Sequence, residues 1–95
     1  MPTLPQNLTP FRRTATFTEQ TIPKAMMERH STAAGIWGVI HVQQGSLRYA
    51  IDKGDVSTMK PGSTAVIEPQ VVHSVEPIGE VSFYVEFFKE EAVSK

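Results

Sequence analysis

The sequence contains no cysteine among its 95 residues. That absence excludes disulfide scaffolds, thiolate zinc fingers, iron–sulfur clusters and cysteine nucleophiles, so any metal ligand must be His, Asp or Glu. Nine lysine and arginine residues are spread among ten acidic ones without a basic block, and the net charge is -1. The electrostatic footprint of a nucleic-acid-binding protein is therefore missing, and we expect a small partner and no nucleic acid.

Long hydrophobic runs are also missing. The longest, residues 35–40, is far shorter than a membrane span. The first ten residues contain three prolines and no apolar run, which fits neither a secretory signal nor a membrane anchor. We therefore expect a cytoplasmic protein that does not bind membranes.

The chain does contain a series of short runs rich in β-branched and aromatic residues, separated by turn sequences. The predicted strands cover residues 14–18, 24–30, 36–43, 47–51, 55–59, 64–67, 71–76 and 81–88. Before residue 88 no segment keeps a 3.6-residue apolar period for three turns, and only residues 89–93 are predicted as a short helix. The pattern predicts an all-β domain of about eight short strands in a sandwich or closed barrel.

The length fits a single domain with one hydrophobic core. Residues 1–12 contain Pro2, Pro5 and Pro10, and proline cannot donate to a β-ladder. We therefore predict an extended N-terminal arm over residues 1–12 and one domain over residues 13–95.

Glu28 and His30 are two residues apart inside a predicted strand. Because side chains alternate along a strand, both would point to one face with Met26 beside them, and this spacing suits a pair of metal ligands. The ordinary alternative for such a pair is a solvated face. His73 follows a proline-containing turn at the start of another apolar strand, where the mouth of a barrel is expected.

The order of these residues resembles the two sequence motifs of the cupins. Glu28 and His30 match the two-apart ligands of the first motif, which closes on a glycine turn, here Gly45. A glycine turn at Gly62, an Ile-Glu-Pro turn and then His73 match the second motif, which ends in a metal-binding histidine. The resemblance implies a small cupin, a jelly-roll β-barrel with a metal site at its mouth.

A narrower resemblance covers nearly the whole chain. In order and spacing, six segments are similar to the small cupin domain named after tellurite-resistance protein B. They are His30-Ser31-Thr32, Gly35-Ile36-Trp37-Gly38, Gly45-Ser46-Leu47-Arg48-Tyr49, Ile67-Glu68-Pro69, His73-Ser74-Val75-Glu76-Pro77 and Phe83-Tyr84-Val85-Glu86-Phe87-Phe88. The family name implies a part in resistance to tellurite or a related stress. In that family the domain can precede a methyltransferase, for which these 95 residues have no room, so we expect no methyl transfer.

Two departures from the general cupin pattern change the expected ligands. The acidic ligand seven residues before the turn glycine falls at Gly38, which has no side chain, and Glu28 stands where many cupins have histidine. A three-histidine site is thereby excluded. The resemblance to the narrower family implies an acidic residue at Glu86, and the expected metal ligands are then His30, His73, Glu28 and Glu86.

Strand parity leaves the facing of Glu86 open. If residues 77–80 form an even-numbered hairpin loop, Glu86 shares a face with His73. If the apolar alternation of the last strand sets the facing instead, Glu86 points to solvent. Glu76, three residues from His73, points away from it on a strand. We rank Glu28 first and Glu86 second as carboxylate ligands, with Glu76 last.

The third histidine, His41, lies on the opposite face of its predicted strand from Ile40 and Val42. It shares an outward row with Trp37 and Val39 that is more apolar than a solvated face usually is. The resemblance to cupins, which commonly pair through a sheet face, points the same way. We therefore expect a homodimer contact at His41 rather than a metal ligand.

Two histidines with one or two carboxylates suit one divalent transition metal ion per chain. Zinc is the ion expected in the purified protein, and Fe, Ni or Mn fit the same ligands. The sequence contains no recognisable nucleophile or phosphate-binding glycine loop, so any catalysis would be the metal's. Three functions stay open: a metal-binding cupin in tellurite or other oxyanion stress, a small metal-dependent dioxygenase or isomerase, and a non-enzymatic module that senses a small molecule or oxyanion.

Overall fold

The computed structural model describes residues 4–90. These residues form one short helix and six strands: β1 (Leu8–Arg13), β2 (Phe17–Thr18), α1 (Lys24–Met27), β3 (Ile36–Ile51), β4 (Val56–Met59), β5 (Thr64–Ile67) and β6 (His73–Glu90). Every strand pair is antiparallel. The predicted all-β class is therefore confirmed, with a single helical turn added.

Two long strands, β3 and β6, form the centre of the sheet. They pair over nearly their whole length, from Ile36 opposite Lys89 to Ile51 opposite His73. β1 and β2 pair with β6, while β4 and β5 pair with β3. Within residues 4–90 the path of paired strands ends at β1 and at β4 without closing. The prediction of a closed barrel of about eight short strands is therefore corrected to an open six-stranded sheet.

Each of the two long strands joins two of the predicted short ones. β3 includes residues 36–43 and 47–51, and β6 includes most of residues 71–76 together with 81–88. Of the two alternatives for residues 77–80, the structure does not form the hairpin loop, because β6 continues through these residues and stays paired with β3 on both sides of them. Lys89 and Glu90 also belong to β6 rather than to a helix, and the rest of that predicted helix lies outside the described residues.

Gly45 explains why a turn signal occurs inside a strand. Its φ is 76°, and a Cβ there would collide with the carbonyl oxygen of Glu80. The pairing register shifts at this point, where Gly79 and Glu80 are extra residues of β6. Glycine permits this irregular, close approach of two backbones, so the signal marks a bend in a continuous ribbon.

The strand predicted over residues 24–30 is wrong, because its first half forms the one-turn helix α1. The helical residues are Lys, Ala, Met and Met, which favour helix and include no β-branched side chain. Of the predicted strand only His30 pairs as a strand residue, in an isolated bridge with His73. No helix in the described part of the chain is long and apolar enough to cross a membrane.

Residues 8–12 of the predicted N-terminal arm are part of the sheet. β1 runs antiparallel to β6, with Leu8 opposite Glu90 and Arg13 opposite Glu86. The register shifts between Pro10 and Arg12, which leaves the residue between them unpaired in a β-bulge. Because β1 is an edge strand, the missing N–H of Pro10 is tolerated there.

The hydrophobic core lies on one side of the β3 and β6 ribbon. Val81, Phe83 and Val85 alternate along β6 and are at most 3% exposed, and Ile40 and Val42 of β3 pack with them. Because β6 does not turn back on itself, its odd-numbered residues from His73 to Phe87 face this side, and its even-numbered residues face the other. We call these two sides the inner face and the outer face.

Candidate functional site

His30 and His73 lie side by side at one end of the inner face. The His30 amide donates to the His73 carbonyl at 3.0 Å, and the His73 amide donates to the His30 carbonyl at 2.8 Å. Residues directly opposite in an antiparallel pair carry their side chains on the same face. The two imidazole centroids are 4.2 Å apart. The histidines therefore converge as expected, while their role as metal ligands stays a prediction.

Each imidazole is held by the backbone two residues earlier. Nδ1 of His30 donates to the Glu28 carbonyl at 2.9 Å, and Nδ1 of His73 donates to the Val71 carbonyl at 2.8 Å. A carbonyl oxygen only accepts, so in the neutral rings the proton is on Nδ1 and the lone pair is on Nε2. Among residues 4–90 neither Nε2 has a hydrogen-bond partner. Metal-binding histidines have this arrangement, with one nitrogen held and the other free.

Burial keeps the imidazole of His73 neutral. The residue is 2% exposed, and desolvation lowers its pKa below the ordinary value of 6.5. The hydrogen bond to Val71 opposes this shift in pKa, while the neighbouring His30 adds to it. The Tyr49 ring packs 5.7 Å from that of His73, and burial, with the charge of Glu68, raises the pKa of Tyr49 to about 12.

The two histidines open into a pocket of about 320 Å³. Most of its wall is apolar, and the larger apolar side chains are Phe11, Met26, Ile36, Ile67, Val85 and Phe87. Its polar groups come from Arg12, Ser31 and Thr32 in addition to the histidines. A mostly apolar cavity with a few polar groups is typical of a small-molecule site.

Thr32 holds the chain after His30 against the turn that precedes His73. Its hydroxyl donates to the Ile36 carbonyl at 2.8 Å, and its own carbonyl accepts from the Gln70 amide at 3.0 Å. Gln70 has a φ of 62°, the left-handed conformation of a tight turn. The chain after His30 is thereby tied to the turn that leads into His73.

Glu28 contributes its backbone rather than its carboxylate to the histidine pair. It is the exposed C-cap of α1, and its carbonyl accepts from His30. Its side chain does not line the pocket. Across residues 4–90 no group of three or more His, Asp or Glu side chains could hold a metal ion. The two histidines therefore meet without a third protein ligand from that part of the chain.

Glu86 lies on the outer face, on the other side of the sheet from His73. Nε2 of His41 donates to Oε1 of Glu86 at 3.3 Å, and the His41 ring stacks on Tyr84 with centroids 4.7 Å apart. The Arg13 guanidinium lies 4.0 Å from the centroid of the Tyr84 ring. Since β6 does not form a hairpin, the apolar alternation sets the facing, and the structure does not bring Glu86 to the histidine pair.

Other polar groups of the outer face also have partners. Nη1 of Arg48 is 3.4 Å from Oε1 of Glu76, and both side chains are more than half exposed. Nε1 of Trp37 donates to Oε2 of Glu90 at 3.1 Å. The predicted outward facing of His41 is confirmed by its contacts, and the homodimer expected through this face stays a prediction.

Arg12 is the pocket residue that the sequence did not reveal. The bulge at Phe11 sets Arg12 opposite Phe87, a pocket residue, and sets Arg13 opposite Glu86 on the outer face. Bulges of this kind re-aim side chains beside functional sites. In the sequence, the feature that could have indicated an irregularity here is Pro10, because proline cannot donate a hydrogen bond to a β-ladder.

The fold described above belongs to a known class of domain. Residues 12–85 match the family model of the TehB-like domain. The chain therefore belongs to the TehB-like family, which confirms the resemblance to the domain named after tellurite-resistance protein B.

Three solved structures illustrate the relationship. A protein from E. coli strain K12 is 25% identical, with a TM-score of 0.89, and the match covers 97% of this chain and 100% of that one. TehB from Haemophilus influenzae is 25% identical, with a TM-score of 0.82 over 90% of this chain and 32% of that one, so this chain spans less than a third of TehB.

A cupin-2 domain containing protein from Shewanella frigidimarina is 19% identical, with a TM-score of 0.56 over 88% of this chain and 67% of that one. That likeness shows a cupin-like fold alone. A search of curated proteins finds no significant match.

Proposed function

We propose that this domain binds one divalent transition metal ion through Nε2 of His30 and Nε2 of His73, and takes up a small molecule or oxyanion beside it. One observation carries the proposal. Both imidazoles donate from Nδ1 to a backbone carbonyl, which leaves two Nε2 lone pairs on adjacent rings.

The donor set suits the proposed ions. Imidazole nitrogen binds zinc at about 2 Å and is also a common ligand of iron and nickel. Ring centroids 4.2 Å apart are close enough for one ion to contact both rings. With two protein ligands from residues 4–90, such an ion would have further positions open to water and to the ligand. When bound, such an ion polarises a coordinated oxygen.

The protein's own residues position and shield this site. Glu28 and Val71 orient the imidazoles through their carbonyls, and the burial of His73 keeps its ring uncharged, as a metal ligand must be. The apolar side chains of the pocket exclude water from the bound ligand.

Membership of the TehB-like family supports a role in resistance to tellurite or a related oxyanion stress. The match to TehB covers only 32% of that chain, so the proposal for these residues is limited to binding. The finer assignment, a metal-binding cupin, rests on the histidine pair and on the cupin-like fold together.

Elemental analysis tests the proposal directly. Protein purified without an affinity tag or added metal should contain about one divalent ion per chain, with zinc as the main ion, and lose it to chelator or acid. Stripped protein is then titrated with zinc(II) in competition with a chromophoric chelator. A stripped protein that takes up none of zinc(II), nickel(II), manganese(II) or iron(II) overturns the proposal.

Histidine variants locate the ion. His30→Gln and His73→Gln should each weaken zinc binding by more than the roughly 10- to 100-fold that loss of an orienting partner costs. His41→Gln is the matched control, because His41 is half-buried like His30 but lies on the outer face. Circular dichroism checks the fold of each variant, and the half-buried His30 keeps the test decisive if His73→Gln does not fold. Equal losses in His30→Gln and His41→Gln would contradict the assignment.

A further inference from the structure

We infer that the ligand of this pocket is a small organic anion with an apolar body, and that Arg12 binds its charged end. The inference rests on the proposed function in taking the histidine pocket as the binding site. It adds the chemical class of the ligand and the residue that selects it.

The guanidinium of Arg12 has no ion pair, side-chain hydrogen bond or ring contact among residues 4–90, unlike those of the other arginines of the chain. The contacts of the other three are Arg29 with Asp52 at 2.9 Å, Arg48 with Glu76 at 3.4 Å and Arg13 over the Tyr84 ring at 4.0 Å. Arg12 instead lines the pocket. A guanidinium presents donors in a planar fork that matches a carboxylate, so this one is available to a ligand.

The charges around the pocket favour an anion. Of the described acidic residues none lines the pocket. Nζ of Lys89 lies 5.8 Å from the centroid of the ring of Phe11, a pocket residue, which adds a second positive charge near the pocket. A cationic ligand would meet these two charges without a carboxylate to balance them.

The size and wall of the pocket favour an organic body on that anion. Ile67, Val85 and Phe87 form an apolar surface beneath the histidines, in a cavity of about 320 Å³. A bare inorganic oxyanion would leave this surface in contact with water, whereas a short hydrocarbon or aromatic body would cover it. A carboxylate end at Arg12 and an apolar body against Ile67 and Val85 together match the charged and the apolar parts of the pocket.

Ligand-observed and amide NMR on chelator-treated protein tests the inference with four probes: hexanoate, its uncharged analogue hexanamide, hexylammonium and inorganic tellurite. Hexanoate should shift the amides around the pocket and bind about tenfold more tightly than hexanamide, since the uncharged amide cannot form charge-assisted bonds to Arg12. Hexylammonium and tellurite should bind more weakly than hexanoate. Equal binding of hexanoate and hexanamide, or tighter binding of tellurite, overturns the inference.

Two neighbouring arginines supply the matched variants. Arg12→Gln should remove the preference for hexanoate, whereas Arg13→Gln, on the outer face over Tyr84, should keep it. Both side chains are exposed, so both variants should fold. An unchanged preference in Arg12→Gln contradicts the assignment.

Repeating the titration with zinc(II) present separates the two proposals. Protein that binds hexanoate but no metal refutes the metal site alone. Protein that binds zinc(II) but hexanoate in neither form refutes the anion inference alone.

Discussion

The two faces of the β3 and β6 ribbon hold their histidines in opposite ways. On the inner face His73 is almost fully buried, its Nδ1 donates to a carbonyl, and its Nε2 lies near a second imidazole and has no hydrogen-bond partner within residues 4–90. On the outer face His41 is half-buried, stacks on Tyr84 and uses its Nε2 to contact Glu86. The same side chain is therefore ready to bind a ligand on one face and serves as a structural contact on the other.

The same alternation sets the facing of the carboxylates of β6. Its four glutamates, Glu76, Glu80, Glu86 and Glu90, are all even-numbered, and three of them, Glu76, Glu86 and Glu90, contact a partner of the outer face. A carboxylate turned toward the apolar inner face would lose its hydration at a large cost in free energy. Imidazole is neutral when buried, so the inner face obtains its polar groups from histidine instead.

The largest expected effect is a loss of stability, and it tests whether the hydrophobic core lies on the inner face alone. Phe83 is fully buried and packs edge-to-face on Phe17, with ring centroids 5.7 Å apart. Phe83→Ala should lower the free energy of unfolding by about 3 to 5 kcal/mol, measured by urea denaturation. Phe88→Ala, the outer-face control on the same strand, should cost roughly half of that or less because Phe88 is only partly buried.

Equal losses in these two variants would show that the outer face is also covered. In that case a second copy of the chain is the expected cover, and the unfolding midpoint should then rise with protein concentration. A midpoint independent of concentration would contradict the homodimer.

A smaller effect, the pH dependence of stability, distinguishes His73 on the inner face from His41 on the outer face. Burial lowers the pKa of His73 below its ordinary value of 6.5. Once the pH falls below 6.5, the unfolded chain therefore binds more protons than the folded chain does. The free energy of unfolding should therefore decrease on acidification from about pH 6.5, by up to about 1.4 kcal/mol per pH unit. Urea denaturation in the presence of chelator measures the slope.

His73→Gln should lose this part of the pH dependence, whereas His41→Gln should keep it. Stability that rises between pH 6.5 and pH 5 in the wild-type protein, with no such rise in His73→Gln, would reverse the sign and contradict the buried, neutral state of His73.

The sequence predicted the strand-rich composition of this fold better than its pairing. Alternation along β3 placed His41 opposite to Ile40, and it did so correctly because burial on a strand is a local pattern. The number of strands was overestimated at Gly45, since a positive φ suits a bulge as well as a hairpin turn. Only the pairing of β3 with distant β6 decides between the two, and no local pattern encodes it.

For the candidate site too, the sequence predicted some features and could not predict others. The convergence of His30 and His73 followed from the order of the motifs, although the local structure predicted around Glu28 was wrong. Arg12 could not be placed, because its facing depends on a bulge in the register between β1 and β6. A shift of one residue there exchanges Arg12 and Arg13 between the two faces.

The smallest expected effect concerns the carboxylates that the sequence ranked as ligands. Glu86→Gln changes a hydrogen-bond partner of the partly exposed His41, and such exposed polar contacts contribute only about 0 to 1 kcal/mol to stability. Zinc affinity should stay unchanged in Glu86→Gln and in the exposed control Glu76→Gln. Glu28→Gln should also keep its affinity, because its carbonyl and not its carboxylate holds His30.

Competition titration of zinc(II) into the three carboxylate variants measures these affinities. A loss confined to Glu28→Gln would mean that the chain after α1 brings this exposed carboxylate to the ion when metal binds. A loss confined to Glu86→Gln would be the more serious result, because Glu86 reaches the histidines only if β6 turns back as a hairpin. The inner and outer faces of its last half would then be exchanged, and Phe83→Ala would cost less stability than Phe88→Ala.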